Sequence, residues 1–322
     1  MQDHEFTTPS SPQGTAAPWT FAEPWGGRSR LSDLGGPVHW VDFGGEGATP
    51  IVLVHGLGGS HLNWVSVAQP LASRGRVHAL DLAGFGLTTG RRRSTTVTAN
   101  ADLLHQFITE IAGGPAILVG NSMGAMVSLL QAGAHAETVA GLVLIDPSIP
   151  APRQLPDLQV ASQFLLYALP LVGRGYLALG NRRMTDRQRV QRVVDLCFAD
   201  PGRASAAVLD AATGLAAVRR GMPSKEAEFL QAARSLMRVL ARPERYRSLM
   251  HSIESPVLLI HGEEDRLVPA LAARKVAADH PTWDTLFLPG VGHTPQLEAP
   301  RAVVEAVLTW LDQQELATKE NP

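Results

Sequence analysis

Gly120-Asn121-Ser122-Met123-Gly124 sets a hydroxyl between two glycines. That spacing suits a nucleophile carried on a tight turn from a strand into a helix. The apolar run Ala116–Val119 precedes it and the helical spacing of Ser122–Ala134 follows it. A serine hydroxyl is a weak nucleophile at neutral pH and needs a base, itself held by an acid. His293, in Gly290-Val291-Gly292-His293-Thr294-Pro295 after the run Thr285–Leu288, is the candidate base; His280, in a polar turn before a proline, is the weaker one. Asp265, in the loop Gly262–Pro269, is the candidate acid. Asp146, at the end of the run Gly141–Ile145, is its rival, set second because Asp265 lies nearer His293 in the chain. Glu263 and Glu264 read as a solvated loop pair. The backbone N–H groups of Leu57, in His55-Gly56-Leu57-Gly58-Gly59, and of Met123 are the candidate oxyanion donors. His55 and His261 read as loop organisers.

These residues need strand ends to stand on. From Gly36 onward, short apolar runs alternate with helical spacings. Strands are expected at Val38–Phe43, Pro50–Val54, Val77–Leu80, Ala116–Val119, Gly141–Ile145, Pro256–Ile260 and Thr285–Leu288. Helices are expected at Leu62–Ser73, from a cap at Thr95, Thr96 or Thr98 to about Ile111, and at Ser122–Ala134, Ala270–Ala278 and Arg301–Leu311. The pattern predicts an α/β fold: a mostly parallel, doubly wound sheet with ligands at the carboxyl ends of its strands. Residues 1–35 read as tail and lead-in, 36–150 and 252–322 as two parts of one core, and 151–251 as a helical insertion.

Composition excludes several classes. The 322 residues carry a net charge of -2 and a single cysteine, so nucleic-acid binding, an internal disulfide and a Cys-rich zinc module are all unsupported. Cys197 reads as a small buried filler. No apolar run reaches the ~20 residues of a membrane span, and no secretory signal opens the chain, which favours the cytoplasm. No dinucleotide or Walker-type loop is present, and no cofactor or metal is expected. The charge is unevenly spread: from Pro147 to Ser252 there are 16 Lys and Arg against 8 Asp and Glu, a local balance of +8. Solvated helix faces are the default for these arginines, with attraction of an anionic substrate or binding across to the core as alternatives. Three arginines at 91–93 are too few to indicate nucleic acid.

Taken together, these motifs resemble the α/β-hydrolase superfamily, in its capped esterase and lipase-like branch. Asp81-Leu82-Ala83-Gly84-Phe85-Gly86 looks like its loop beside the site, and His293 with Thr294, Pro295, Glu298 and Pro300 looks like its histidine loop. The resemblance runs from about Gly36 to Leu311. It implies that the insertion is a cap in which Phe164, Leu165, Tyr167 and Leu169 line an acyl or aromatic pocket or touch lipid transiently; plain packing is the other reading. Serine at the elbow argues against the dehalogenase and epoxide-hydrolase branches, which place Asp there. The expected activity is hydrolysis of a small-molecule carboxylic ester. A C–C hydrolase, thioesterase or perhydrolase with the same triad is the alternative, and a ligand-binding receptor on this fold is the further one. Oligomeric state is not legible.

Overall fold

The computed structural model describes residues 15–16, 21–91, 93–150 and 183–320. Its strands are β1 (Thr15–Ala16), β2 (Arg28–Asp33), β3 (Pro37–Asp42), β4 (Ile51–Val54), β5 (Val77–Leu80), β6 (Ala116–Asn121), β7 (Val139–Ile145), β8 (Val257–Gly262) and β9 (Asp284–Leu288). They form one sheet in the order β1-β2-β3-β5-β4-β6-β7-β8-β9. The β1–β2, β2–β3 and β3–β5 pairs are antiparallel, and every pair from β5 to β9 is parallel.

Between them run the helices α1 (Ala68–Leu71), α2 (Val97–Phe107), α3 (Met123–Ala134), α4 (Asp186–Cys197), α5 (Ala206–Arg220), α6 (Lys225–Leu240), α7 (Pro243–His251), α8 (Ala270–Asp279), α9 (Pro295–Glu298) and α10 (Pro300–Glu320). Helices α4 to α7 occupy the stretch between β7 and β8. Among the described residues, none of these helices is long and apolar enough to cross a membrane.

The strand sequences explain the layers. Alternate residues point to opposite faces of a strand, and the central strands are apolar at nearly every position. Val52, Val54, Leu118, Leu142, Leu144 and Leu259 pack with α2, α3, α7 and α8 on one face. Ile51, Leu53, Ile117, Val119, Val143, Ile145, Leu258 and Ile260 pack with α1 and α10 on the other. Thr96 caps α2, its hydroxyl accepting from the Ala99 amide at 3.3 Å.

Besides the two-residue β1, three elements depart from the sequence reading. β2 was not expected, because Arg28-Ser29-Arg30-Leu31-Ser32-Asp33 buries only Ser29. It forms by pairing residue for residue with β3. The single helix expected over Leu62–Ser73 is a short 3-10 turn, His61–Trp64, followed by α1. Pro70 has no N–H and its ring bars an uninterrupted helix from Leu62. The last helix runs from Pro300 to Glu320, well past Leu311. Arg74 holds that extension to the core through two hydrogen bonds to Asp312, at 2.8 and 3.0 Å.

Candidate active site

The turn from β6 into α3 is built on a strained residue. Ser122 has φ 55° and ψ −115°, a region side chains avoid, at a cost of about 1–3 kcal/mol. Neighbouring contacts hold it there. Its N–H donates to the Ile145 carbonyl at 3.0 Å, and its own carbonyl accepts from the Ser148 amide at 3.2 Å. The flanking glycines are required by space: a Cβ on Gly120 would lie 2.6 Å from Ala125 backbone, and one on Gly124 would lie 2.0 Å from the Val54 carbonyl oxygen. Ser122 is 9% exposed and opens the first turn of α3, where the helix dipole adds positive potential.

The loop after β4 abuts this turn, since a Cβ on Gly56 would stand 3.2 Å from the Ser122 Cβ. Leu57 follows Gly56 in that loop, and Met123 is the first, fully buried residue of α3. His55 organises the loop: Nδ1–H donates to the Gly56 carbonyl at 2.8 Å and Nε2 accepts from the Leu82 amide at 3.1 Å. Burial pushes its pKa down to about 4, so the ring is neutral, as that donor and acceptor pair requires.

The histidine stands in the loop after β9. His293 Nδ1 lies 2.7 Å from Asp265 Oδ2, and both residues are buried. Burial alone would push the Asp265 carboxyl up, but His293 and then His261 hold it below the usual range. Asp265 is therefore ionised and accepts the hydrogen bond from His293 Nδ1. Asn121 links this loop to the elbow, donating from Nδ2 to the carbonyls of Ile145 and His293, both at 3.1 Å. Cys197 accepts the His293 amide at its carbonyl, 2.6 Å away. Burial, then Asp265 and Asp146, push its thiol up to about 12, too high for a nucleophile.

Asp146 is also at the site, fully buried, with Oδ1 accepting from the Gly262 amide at 3.0 Å. His280 is elsewhere: its ring stacks on His251 and Trp283 and Nδ1 donates to the Val276 carbonyl at 2.9 Å. His261 donates through Nε2 to the Val268 carbonyl at 3.0 Å, an organising contact. Glu263 pairs with Arg274. Phe164, Leu165, Tyr167 and Leu169 lie outside the described residues.

Two contributors escaped the sequence reading. Ser148 Oγ stands 3.3 Å from Ser122 Oγ, and only the fold of the chain after β7 brings them together. Glu298, noted in the sequence only as part of a loop pattern, is buried and accepts from the amides of Gly292, Ala199 and Asp200 at 2.8–3.1 Å. It ties the histidine loop to the chain leaving α4.

A second buried carboxylate secures the loop after β5. Asp81 accepts from His39 Nδ1 at 2.7 Å, from His61 Nδ1 at 3.0 Å, and from the amides of His61 and Leu87. Burial opposes its charge, but His61 and His39 outweigh that and hold it well below the usual range. The three side chains are close enough to hold a cation. The acceptor sites of Asp81 are filled by these four donors, so the cluster is a hydrogen-bonded anchor.

Comparison with known proteins agrees with this architecture. The chain matches the alpha/beta hydrolase family over residues 51–306. It belongs to that family. It is 32% identical over 284 residues to the dihydrolipoyllysine-residue acetyltransferase component of the acetoin cleaving system of Pseudomonas putida, covering 87% of this chain and 68% of that one. It is 26% identical over 268 residues to the pimeloyl-[acyl-carrier protein] methyl ester esterase of Edwardsiella ictaluri, covering 83% of this chain and 95% of that one. Among solved structures, a serine hydrolase of Cycloclasticus zankles superposes with a TM-score of 0.70 at 19% identity, covering 89% of this chain and 98% of that one. That likeness is one of fold.

Proposed function

We propose that this α/β-hydrolase cleaves a carboxylic ester with an apolar acyl or aromatic part through an acyl-enzyme on Ser122. One observation carries the reading: the hydroxyl stands on a strained turn at φ 55° whose neighbour Asn121 is bonded to the loop of the His293–Asp265 pair. The name of the methyl ester esterase relative supports the ester as the bond cleaved.

In the proposed reaction, Ser122 Oγ attacks the ester carbonyl carbon and its proton passes to His293 Nε2. Asp265 keeps the ring in the tautomer with hydrogen on Nδ1 and stabilises the imidazolium. The amides of Leu57 and Met123 donate to the carbonyl oxygen as it becomes an oxyanion. Collapse breaks the ester C–O bond, and the alcohol leaves with the proton from His293. Water then attacks the acyl carbon, giving a proton to His293. The acid departs and Ser122 recovers its hydrogen.

Labelling with a fluorophosphonate probe, followed by an ester panel of graded chain length, tests this. Labelling is expected at Ser122, and Ser122→Ala is expected to lower kcat by about 10³-fold or more with the fold intact. Turnover retained by that variant, or labelling at another residue, overturns the assignment.

A further inference from the structure

Two buried carboxyl groups lie together at the strand ends. Asp146 follows β7 with φ 43° and is 0% exposed; Asp265, in the loop after β8, is 6% exposed. One oxygen of each, with a ring nitrogen of His293, lie within 4.8 Å of one another. Two ionised carboxylates buried at that separation repel strongly, which favours a proton on one of the pair.

The donors around each group decide which. Asp265 has the set an anion needs: His293 Nδ1–H on Oδ2 at 2.7 Å, and the Leu267 and Val268 amides on Oδ1 at 2.7 and 3.0 Å. Asp146 has one amide, that of Gly262, on Oδ1. Its Oδ2 meets no donor among the described residues. The other groups facing it bring no further donor to Oδ2. His261 Nδ1 is 3.4 Å from Oδ1, but that ring donates through Nε2 to the Val268 carbonyl, so the facing nitrogen presents a lone pair. Glu298 adds negative potential, and the Cys197 thiol is neutral. Burial first, then the charge of Asp265, push the Asp146 carboxyl well above the usual aspartate value.

We propose that Asp146 is a neutral carboxylic acid that donates its Oδ2 proton to Asp265, making it a positioning residue that holds the Asp265 carboxylate against His293. The hydrogen bond fixes how Asp265 faces the ring and moderates the charge that the ring feels. The catalytic consequence rests on the Ser122 reading above; the proton on Asp146 does not.

Two measurements test it, using the whole chain. The first is urea unfolding of the wild type and Asp146→Asn across a pH series. A folded-state pKa raised above the unfolded value of ~3.9 means that wild-type stability falls as pH rises through that interval. Asparagine keeps a donor and has no proton to lose. The unfolding midpoint of Asp146→Asn relative to wild type is therefore expected to climb steadily with pH; a difference that stays constant overturns the proposal. The second is the pH profile of kcat/KM on whichever ester the panel selects. Asp146→Asn is expected to keep the acidic limb at the wild-type pH, while Asp146→Ala, lacking a donor, shifts that limb upward by roughly half a unit. A downward shift in Asp146→Asn would mean that a negative charge had been removed, which overturns the proposal. If Asp146→Ala does not fold, the Asn variant alone still decides. Absence of any ester turnover would count against the Ser122 reading and leave the unfolding result standing.

Discussion

At Asp265 the electrostatics of the candidate site come to a point. Its carboxylate takes one side-chain and two backbone donors, and His293 offsets the penalty of burial. A group held below its unfolded value contributes stability that is present above about pH 4 and is lost as pH falls through the folded value. Asp146 works with the opposite sign, so the two carboxyls favour the folded state at different ends of the pH scale. Asp265→Asn is expected to lower kcat by about 10³–10⁴-fold with little change in KM, because the amide favours the wrong tautomer of His293. Steady-state kinetics on the panel ester checks this, and a KM effect without a kcat effect would contradict it. Ser122, Asp265 and His293 were legible because each is a polar residue just after a buried apolar run. Ser148 was not: a serine two residues after Asp146 has no pattern of its own, and its nearness to Ser122 comes from the turn the chain makes at φ 43°.

The elements follow the same rule: what is buried on both faces can be read, and what is held by partners cannot. β4, β6, β7 and β8 are apolar at nearly every position, and their runs stand out from the polar loops. β2 is polar and exists only through its register with β3, so its sequence carries no alternation to find. The break between the turn His61–Trp64 and α1 follows from Pro70, whereas the apolar spacing around it reads as one continuous helix. In the site region α3 packs close against β4. Gly124→Ala would press a methyl into the Val54 carbonyl, and overpacking of this kind costs typically 1–3 kcal/mol. Chemical denaturation is expected to show that loss, together with reduced fluorophosphonate labelling as the elbow is displaced. An unchanged midpoint would show that the helix and strand can separate freely there.

Over the whole molecule, the near-zero net charge is the sum of an acidic core and a basic stretch between β7 and β8. Some of that basic charge bridges the two. Arg219, on α5, donates to the carbonyls of Gly84 and Gly86 at 2.7 and 2.6 Å, and Arg203 reaches the Gly290 carbonyl at 2.8 Å and Glu298 at 3.4 Å. Burial pulls the Arg219 guanidinium below its ordinary value, with Asp81 opposing the shift. Other arginines pair within the stretch, as Arg187 does with Asp210 and Arg220 with Asp186. Composition showed the imbalance, but only the contacts separate bridging arginines from solvated ones. Arg219→Ala leaves two loop carbonyls without their charged donor and is expected to cost about 2 kcal/mol or more, read by urea unfolding. Hydrogen exchange is expected to quicken in α5 and in the loop 84–88, and protection equal to wild type would refute a bridging role.

The chain leaves β7 at Ile145 and re-enters the sheet at Val257 of the adjacent parallel strand, which is paired with Leu142. Neighbouring strands lie about 4.8 Å apart and a parallel strand rises about 3.3 Å per residue, so the chain between these points is an excursion whose two roots stand roughly 11 Å apart, held there by the strand register. Closing a longer excursion costs little more than closing a shorter one, since the entropy grows only with the logarithm of length. The scaffold therefore works as a socket. Whatever helical unit is grafted there can be exchanged, lengthened or trimmed while the register of the strands beneath it stays the same.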